Sequence, residues 1–159
     1  SLLLDILEGT PIPTPTLPPN PEDIQIMGQV FASKTVRLSL YDTENLLVTS
    51  TSAQADGTFT LSAPAGEYII TAEAEGFIDA HGNIVITSGN MHTMQNISLL
   101  AGDIDNNNEI NQLDAMSIAI NYNTASPTVA DLNSDGIINL LDLEILSTNY
   151  RYSGFLNWE

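Results

Sequence analysis

The chain has 159 residues, room for one medium domain or two small ones. Twenty acids against three fixed cations (Lys34, Arg37 and Arg151) leave a net charge of −17, which excludes the clustered basic surface that nucleic acid requires. Cysteine is absent, so neither a disulfide nor a thiol nucleophile is available, and no apolar run approaches the roughly 20 residues of a membrane-inserted helix.

Residues 1–8 are short and apolar, do not begin with Met and lack the basic flank of a secretion signal. They read as the frayed end of a preceding domain or an appended remnant, in a chain that is a fragment of a longer polypeptide or a processed product. Thr10 to Pro21 is a Pro/Thr tract that favours polyproline II, a semi-rigid spacer. Residues 1–23 are therefore remnant and linker, and such linkers suit a larger secreted, extracellular multidomain parent.

Residues 24–100 alternate like an all-β domain. The runs are Ile24–Phe31, Val36–Tyr41, Leu46–Thr51, Thr58–Leu61, Glu67–Ala74, Ile84–Ile86 and Met91–Leu99. Turn signals separate them at Asp56-Gly57, Pro64 to Gly66, Glu75-Gly76, His81-Gly-Asn83 and Ser88 to Asn90. About seven short strands at this spacing predict a β-sandwich. The stretch from Asp56 to Phe77 resembles the carboxypeptidase regulatory-like family, which implies a transthyretin- or immunoglobulin-like sandwich acting as an X-module-like structural or interaction unit.

No catalytic residues are assigned. His81 and His92 fall in or beside predicted turns without an H-x-x-x-H or Ser/His/Asp spacing, so they read as solvated loop histidines. Lys34, Asn96 and Glu73 are conceivable partners for a spontaneous isopeptide bond of the kind some surface-protein sandwiches form. Lys34, however, precedes a strand in an expected turn, where an exposed lysine is ordinary.

Two copies of one oxygen-rich loop follow. The first is Asp103-Ile-Asp105-Asn-Asn107-Asn-Glu109-Ile110-Asn111-Gln-Leu-Asp114, and the second is Asp131-Leu-Asn133-Ser-Asp135-Gly136-Ile137-Ile138-Asn139-Leu-Leu-Asp142. Each places oxygen side chains at loop positions one, three, five, nine and twelve, the arrangement a hard cation such as Ca²⁺ needs for six to eight oxygen ligands. The offset of 28 residues also relates Ile118 to Leu146 and Tyr122 to Tyr150, so loop plus following helix is the repeated unit. Unlike an EF-hand, neither copy has Glu at position twelve, and the strand-like residues before the first loop leave no entering helix. Residues 101–159 hold nine acids and one base, so folding of this part is expected to depend on bound cation.

This pattern resembles the dockerin family over roughly residues 101–152. The resemblance implies two Ca²⁺ ions held by Asp103, Asp105, Asn107 and Asp114 and by Asp131, Asn133, Asp135 and Asp142. Glu109 and Ile137 would lend backbone carbonyls, with Asn111 and Asn139 acting more weakly or through water. It further implies a partner, the cohesin domain of a scaffoldin or cell-surface protein, in a cellulosome-type assembly for polysaccharide degradation. Position six calls for a left-handed backbone, met by Gly136 in one copy and Asn108 in the other, so the first site is expected to bind more weakly.

Ala115, Ile118 and Tyr122, with Leu143, Leu146 and Tyr150, follow helical spacing and are the expected core faces. Leu113, Met116, Ile120, Leu140, Leu141 and Ile145 form a second apolar set, and a part this small cannot readily bury both. By resemblance the cohesin-facing residues are Gln112, Leu113, Met116, Ser117, Ala119 and Ile120, then Leu140, Leu141, Glu144, Ile145, Ser147 and Thr148. Many clostridial dockerins carry Ser/Thr at positions ten and eleven and Lys/Arg at seventeen and eighteen. Their absence here implies an apolar platform, nearer the type II class.

The expected architecture is a β-sandwich at 24–100 followed by a small all-α dockerin at 101–159 with two calcium-loop–helix (F-hand, EF-hand-like) repeats. The expected function is calcium-dependent docking. A calcium-stabilised adhesion module that binds carbohydrate or cell wall is the alternative. The aromatic tail is expected to fold back near Leu99 and Leu100 through Phe155 or Trp158.

Overall fold

The structure, a computed structural model, describes Asn20 and residues 22–159, so the apolar start and nearly all of the Pro/Thr tract lie outside the described residues. The first part of the described chain is mostly β, in two sheets, and a small region with two helices follows.

The strands are β1 (Ile24–Phe31), β2 (Arg37–Tyr41), β3 (Leu47–Ser52), β4 (Thr58–Ala63), β5 (Gly66–Glu73), β6 (Ala80–Ile86), β7 (His92–Thr93), β8 (Ile97–Ser98) and β9 (Leu156–Asn157). One sheet runs β4-β1-β7, with β8 also on β1; the other runs β3-β2-β5-β6-β9. Alternate residues turn inward because side chains change face at each step along a strand. Ile26, Val30, Phe59 and Leu61 from the first sheet and Leu38, Leu40, Ile70 and Ile84 from the second are accordingly buried in one core.

Two expectations are corrected. Met91–Leu99 is not one strand but two short pieces, β7 and β8, each pairing parallel with β1. His81-Gly-Asn83 is not a turn but the middle of β6, antiparallel to β5. Gly82 is present for room: a Cβ there would stand 2.2 Å from the Trp158 carbonyl oxygen, because another stretch of backbone lies against this strand.

That stretch is the tail. β9 pairs parallel with β6, Ala80 opposite Leu156 and His81 opposite Asn157. Trp158 is 2% exposed, meets Phe59 edge to face at 5.7 Å, and donates its indole N–H to the Gln95 carbonyl at 2.7 Å. Phe155 stacks on His81 with ring centres 3.8 Å apart. The tail does fold back, but onto β6 and the sheet core rather than beside Leu99 and Leu100.

The helices are α1 (Gln112–Ile120) and α2 (Leu140–Thr148), with a 3₁₀ turn at Thr128–Ala130 between them. Their small core is Ile104, Ile110, Ile118, Ala130, Leu132, Ile138 and Leu146. Ile118 and Leu146 are buried as expected, whereas Leu143, Tyr122 and Tyr150 are exposed. The helices end at Ile120 and Thr148, and Asn123 and Arg151 then take left-handed conformations with φ of 60° and 72°. The tyrosines thus lie past the last helical turn, where the helical periodicity no longer applies.

The helical region is fastened to the sheets at several points. Phe77 bridges Ala101, and the Gly102 N–H donates to the Gly76 carbonyl at 2.8 Å. Between β1 and β2, the Ser33 hydroxyl donates to the Leu132 carbonyl and Ser134 donates back to the Ser33 carbonyl. The expected exposed Lys34 is instead drawn into this contact: its side chain is 11% exposed, donates to the Thr128 carbonyl at 2.5 Å and pairs with Glu75 at 3.6 Å. Asn96 donates to Gln29 instead, and so does not accompany Lys34.

Candidate cation loops and docking face

The two loops are built by the same backbone hydrogen bonds. In the first, Asp103 accepts the N–H groups of Asn107 at 3.0 Å and Asn108 at 2.9 Å. In the second, Asp131 accepts those of Asp135 at 3.2 Å and Gly136 at 2.9 Å. The acid at position twelve closes each ring: Asp114 Oδ1 accepts the Ile104 N–H at 2.7 Å, and Asp142 Oδ1 accepts that of Leu132 at 2.8 Å. Side chains at positions three and five also touch, Asn107 donating to Asp105 and Asn133 to Asp135.

Position twelve has a second task. Asp114 Oδ2 accepts the Asn111 N–H at 2.9 Å and Asp142 Oδ2 that of Asn139 at 2.7 Å, while the Asn111 and Asn139 side chains accept from Leu113 and Leu141 at 2.7 Å each. This is a capping box at the start of each helix, with Asn111 and Asn139 as the N-caps, so the last acid of the loop also completes the helix's capping box. Reading Asn111 and Asn139 only as weak ligands missed this role, although Asn-x-x-Asp before an apolar helix was its signal.

Four acids are buried here: Asp103, Asp114, Asp131 and Asp142. Asp105, Asn107, Glu109, Asp135 and Ile137 are exposed, and Asn111, Asn133 and Asn139 are half-buried. Asp103, Asp105 and Asp114 each present a carboxylate oxygen within 4.8 Å of the others. Burial pushes the Asp103 carboxyl above its usual range; the Asn108 and Asn107 N–H groups oppose this, and the neighbouring acids Asp114 and Asp105 add to it. Like charges this close, two of the three buried, need a counter-charge. No lysine or arginine supplies one among the described ion pairs, where Lys34 is taken by Glu75. A set of hard oxygens around unpaired buried charge fits a Ca²⁺-type ion.

Left-handed backbone occurs at position six as expected, with φ of 61° at Asn108 and 89° at Gly136. It also occurs at position four, Asn106 and Ser134, each at 59°, which the sequence reading did not foresee. The repeats brace each other: Ile110 exchanges backbone bonds with Arg151 and Tyr152, and Ile138 does so with Asn123 and Thr124. The two sets of partners differ by the same 28 residues, so the exchange has an approximate two-fold symmetry.

The second apolar set of the helices faces solvent. Leu113 (53%), Met116 (54%), Ile120 (75%), Leu140 (58%) and Leu141 (50%) are exposed, while Ile145 is half-buried. Gln112, Ala119, Glu144, Ser147 and Thr148 are also exposed, and Ser117 is half-buried. The sheets touch the loops and leave this strip uncovered. No described helix is long and apolar enough to cross a membrane.

Residues 101–149 match the family model of the dockerin type I domain. Two solved structures from Acetivibrio cellulolyticus resemble the chain along most of its length, both interface mutants of a type II cohesin–X-dockerin complex. The N-terminal interface mutant has a TM-score of 0.65 at 19% identity, covering 82% of this chain and 97% of that one. The C-terminal interface mutant has a TM-score of 0.64 at 18% identity over the same shares. No curated protein matches the chain. The family match thus covers both loops and both helices, and the likeness in fold extends over the β-rich first part.

Proposed function

We propose that this chain is a calcium-dependent, non-covalent docking module that attaches its parent polypeptide to a cohesin domain, in an extracellular cellulosome-type assembly. The observation that carries this reading is an uncovered apolar strip on two helices whose capping boxes are completed by the acids that close the loops. A cation held in each loop neutralises those acids and fixes the start of each helix, so binding metal and presenting the strip are one event.

In this reading two Ca²⁺ ions are held by Asp103, Asp105, Asn107 and Asp114 and by Asp131, Asn133, Asp135 and Asp142, with backbone oxygen from Glu109 and Ile137. Each loop with its helix forms an F-hand-like unit. Residues 24–100, with β9 added from the tail, form a transthyretin-like sandwich that acts as a stabilising neighbour for a dockerin over 101–159. The strip supplies most of the affinity and the polar residues at its rim supply choice. Lacking the Ser/Thr and Lys/Arg positions of many clostridial dockerins, the strip suits an apolar, type II-like cohesin face. No catalysis is assigned.

Titration calorimetry against a panel of type I and type II cohesins, in calcium and in EGTA, tests the proposal. A type II partner should bind in calcium and lose at least a hundredfold in affinity in EGTA. Equal binding in both buffers, or none to any cohesin alongside measurable calcium uptake, would remove the proposal.

A further inference from the structure

The loops differ at position six, Asn108 in one and Gly136 in the other. Around Gly136 there is open space where a Cβ would stand. Asn108, its counterpart, is held from three sides. Its N–H donates to Asp103 Oδ2 at 2.9 Å, its carbonyl accepts the Gly154 N–H at 2.8 Å, and its Oδ1 accepts the Asp79 N–H at 3.3 Å. Asp79 is also the residue whose carbonyl accepts the Leu156 N–H of β9, at 2.9 Å. A continuous path of hydrogen bonds therefore leads from a buried acid of the first loop, through Asn108 and Asp79, to the strand that ends at Trp158.

We propose that Asn108 is a positioning residue that ties cation occupancy of the first loop to the seating of β9. Without a cation, Asp103, Asp105 and Asp114 repel one another, the loop opens, and Asn108 leaves both Asp103 and Asp79. With one bound, the left-handed backbone at Asn108 presents its side-chain oxygen to Asp79 and its carbonyl to Gly154, and β9 is held at two points. The second loop has no such route, since Ser33 and Ser134 tie it to the turn between β1 and β2 instead. Asn at position six is on this view selected for its acceptor oxygen, and not merely tolerated for its left-handed backbone.

The inference rests on reading the first loop as a cation site, and one experiment separates the two. Amide correlation spectra of the full chain would be followed as calcium is added back after EGTA. The single tryptophan gives one indole N–H signal, which reports the bond to Gln95. That signal should move with the amides of Asn107 and Glu109, whatever the behaviour of Asp135 and Ile137. Asn108→Gly keeps the left-handed backbone but removes the acceptor. It should raise the first-loop midpoint roughly threefold, about the effect of losing one hydrogen bond, and leave the second loop unmoved. Asn108→Asp restores the acceptor and should return the midpoint to the wild-type value or below. An Asn108→Gly protein that takes up calcium as well as wild type, or an indole signal that follows the second loop, overturns the coupling. First-loop amides that ignore calcium overturn the cation reading itself.

Discussion

The two repeats share a hydrogen-bonding plan but not a setting. Both enclose a buried pair of acids, use the last of them to complete the capping box of a nine-residue helix, and brace the partner repeat through position eight. Their surroundings then diverge: the first loop is tied to β9 through Asn108, and the second to the turn that carries Ser33 and Lys34. Their outer faces diverge too, because Met116 of α1 corresponds to Glu144 of α2. The spacing of oxygen side chains preserves the loop's hydrogen-bonding plan, while the rest of each copy is free to specialise.

The largest effect should come from what the repeats share. Removing calcium with EGTA should lower the melting temperature by more than about 10 °C, since apo loops crowd unpaired acids. Asp114→Ala and Asp142→Ala should each destabilise the calcium form by roughly 3–5 kcal/mol, as loss of one member of a buried charge network does. Denaturant unfolding that showed one substitution to be harmless would break the equivalence of the cages.

The next effect should separate the repeats. An apolar partner face meets Met116 without penalty but must strip water from Glu144. Leu113→Ala with Met116→Ala should therefore weaken cohesin binding roughly 30-fold, at about 1 kcal/mol per truncated contact. Leu140→Ala with Leu141→Ala should cost only a few-fold, and calcium affinity should hold in both. Calorimetry giving the reverse order would assign docking to α2. A smaller effect is expected for Gly136→Asn, which meets no neighbour and retains a residue tolerant of positive φ; its cost should stay below about 1 kcal/mol in a thermal melt.

The smallest effect concerns pH. Burial raises the Asp79 carboxyl to about 6, with Glu73 and Asp103 adding to the shift. Its protonated form is the one the fold prefers, so its contribution is fully present below the unfolded value near 3.8 and is lost as pH rises through about 6. Asp79→Asn, which leaves the backbone bonds of this residue in place, should raise the melting temperature slightly at pH 7 and not at pH 4. An equal rise at both would show that the carboxyl does not sense its burial.

Much of this was legible in the sequence, for identifiable reasons. β1 through β5 are long enough for alternation to show, and Ile24–Phe31 was placed to the residue. The two loops were legible because their oxygen side chains recur at fixed spacing, and the second copy repeats the phase. What escaped depends on partners distant in sequence. β9 has two residues and no pattern of its own; it forms because β6 offers an edge more than 70 residues earlier. Gly82 looked like a turn for the same reason, since its cause is the Trp158 carbonyl. Tyr122 and Tyr150 were placed in the core by extending a periodicity beyond the last turn of each helix.

The insertion of Trp158 among the sheets has a practical consequence for protein engineering. Grafting residues 101–159 alone onto another scaffold would carry away a wedge of that core and expose a greasy side chain on the graft. The donor would be left with a hole beside Phe59 and an open margin along β6. A portable cassette should begin no later than Ile24 and run through Trp158, so that both halves of the clasp travel together.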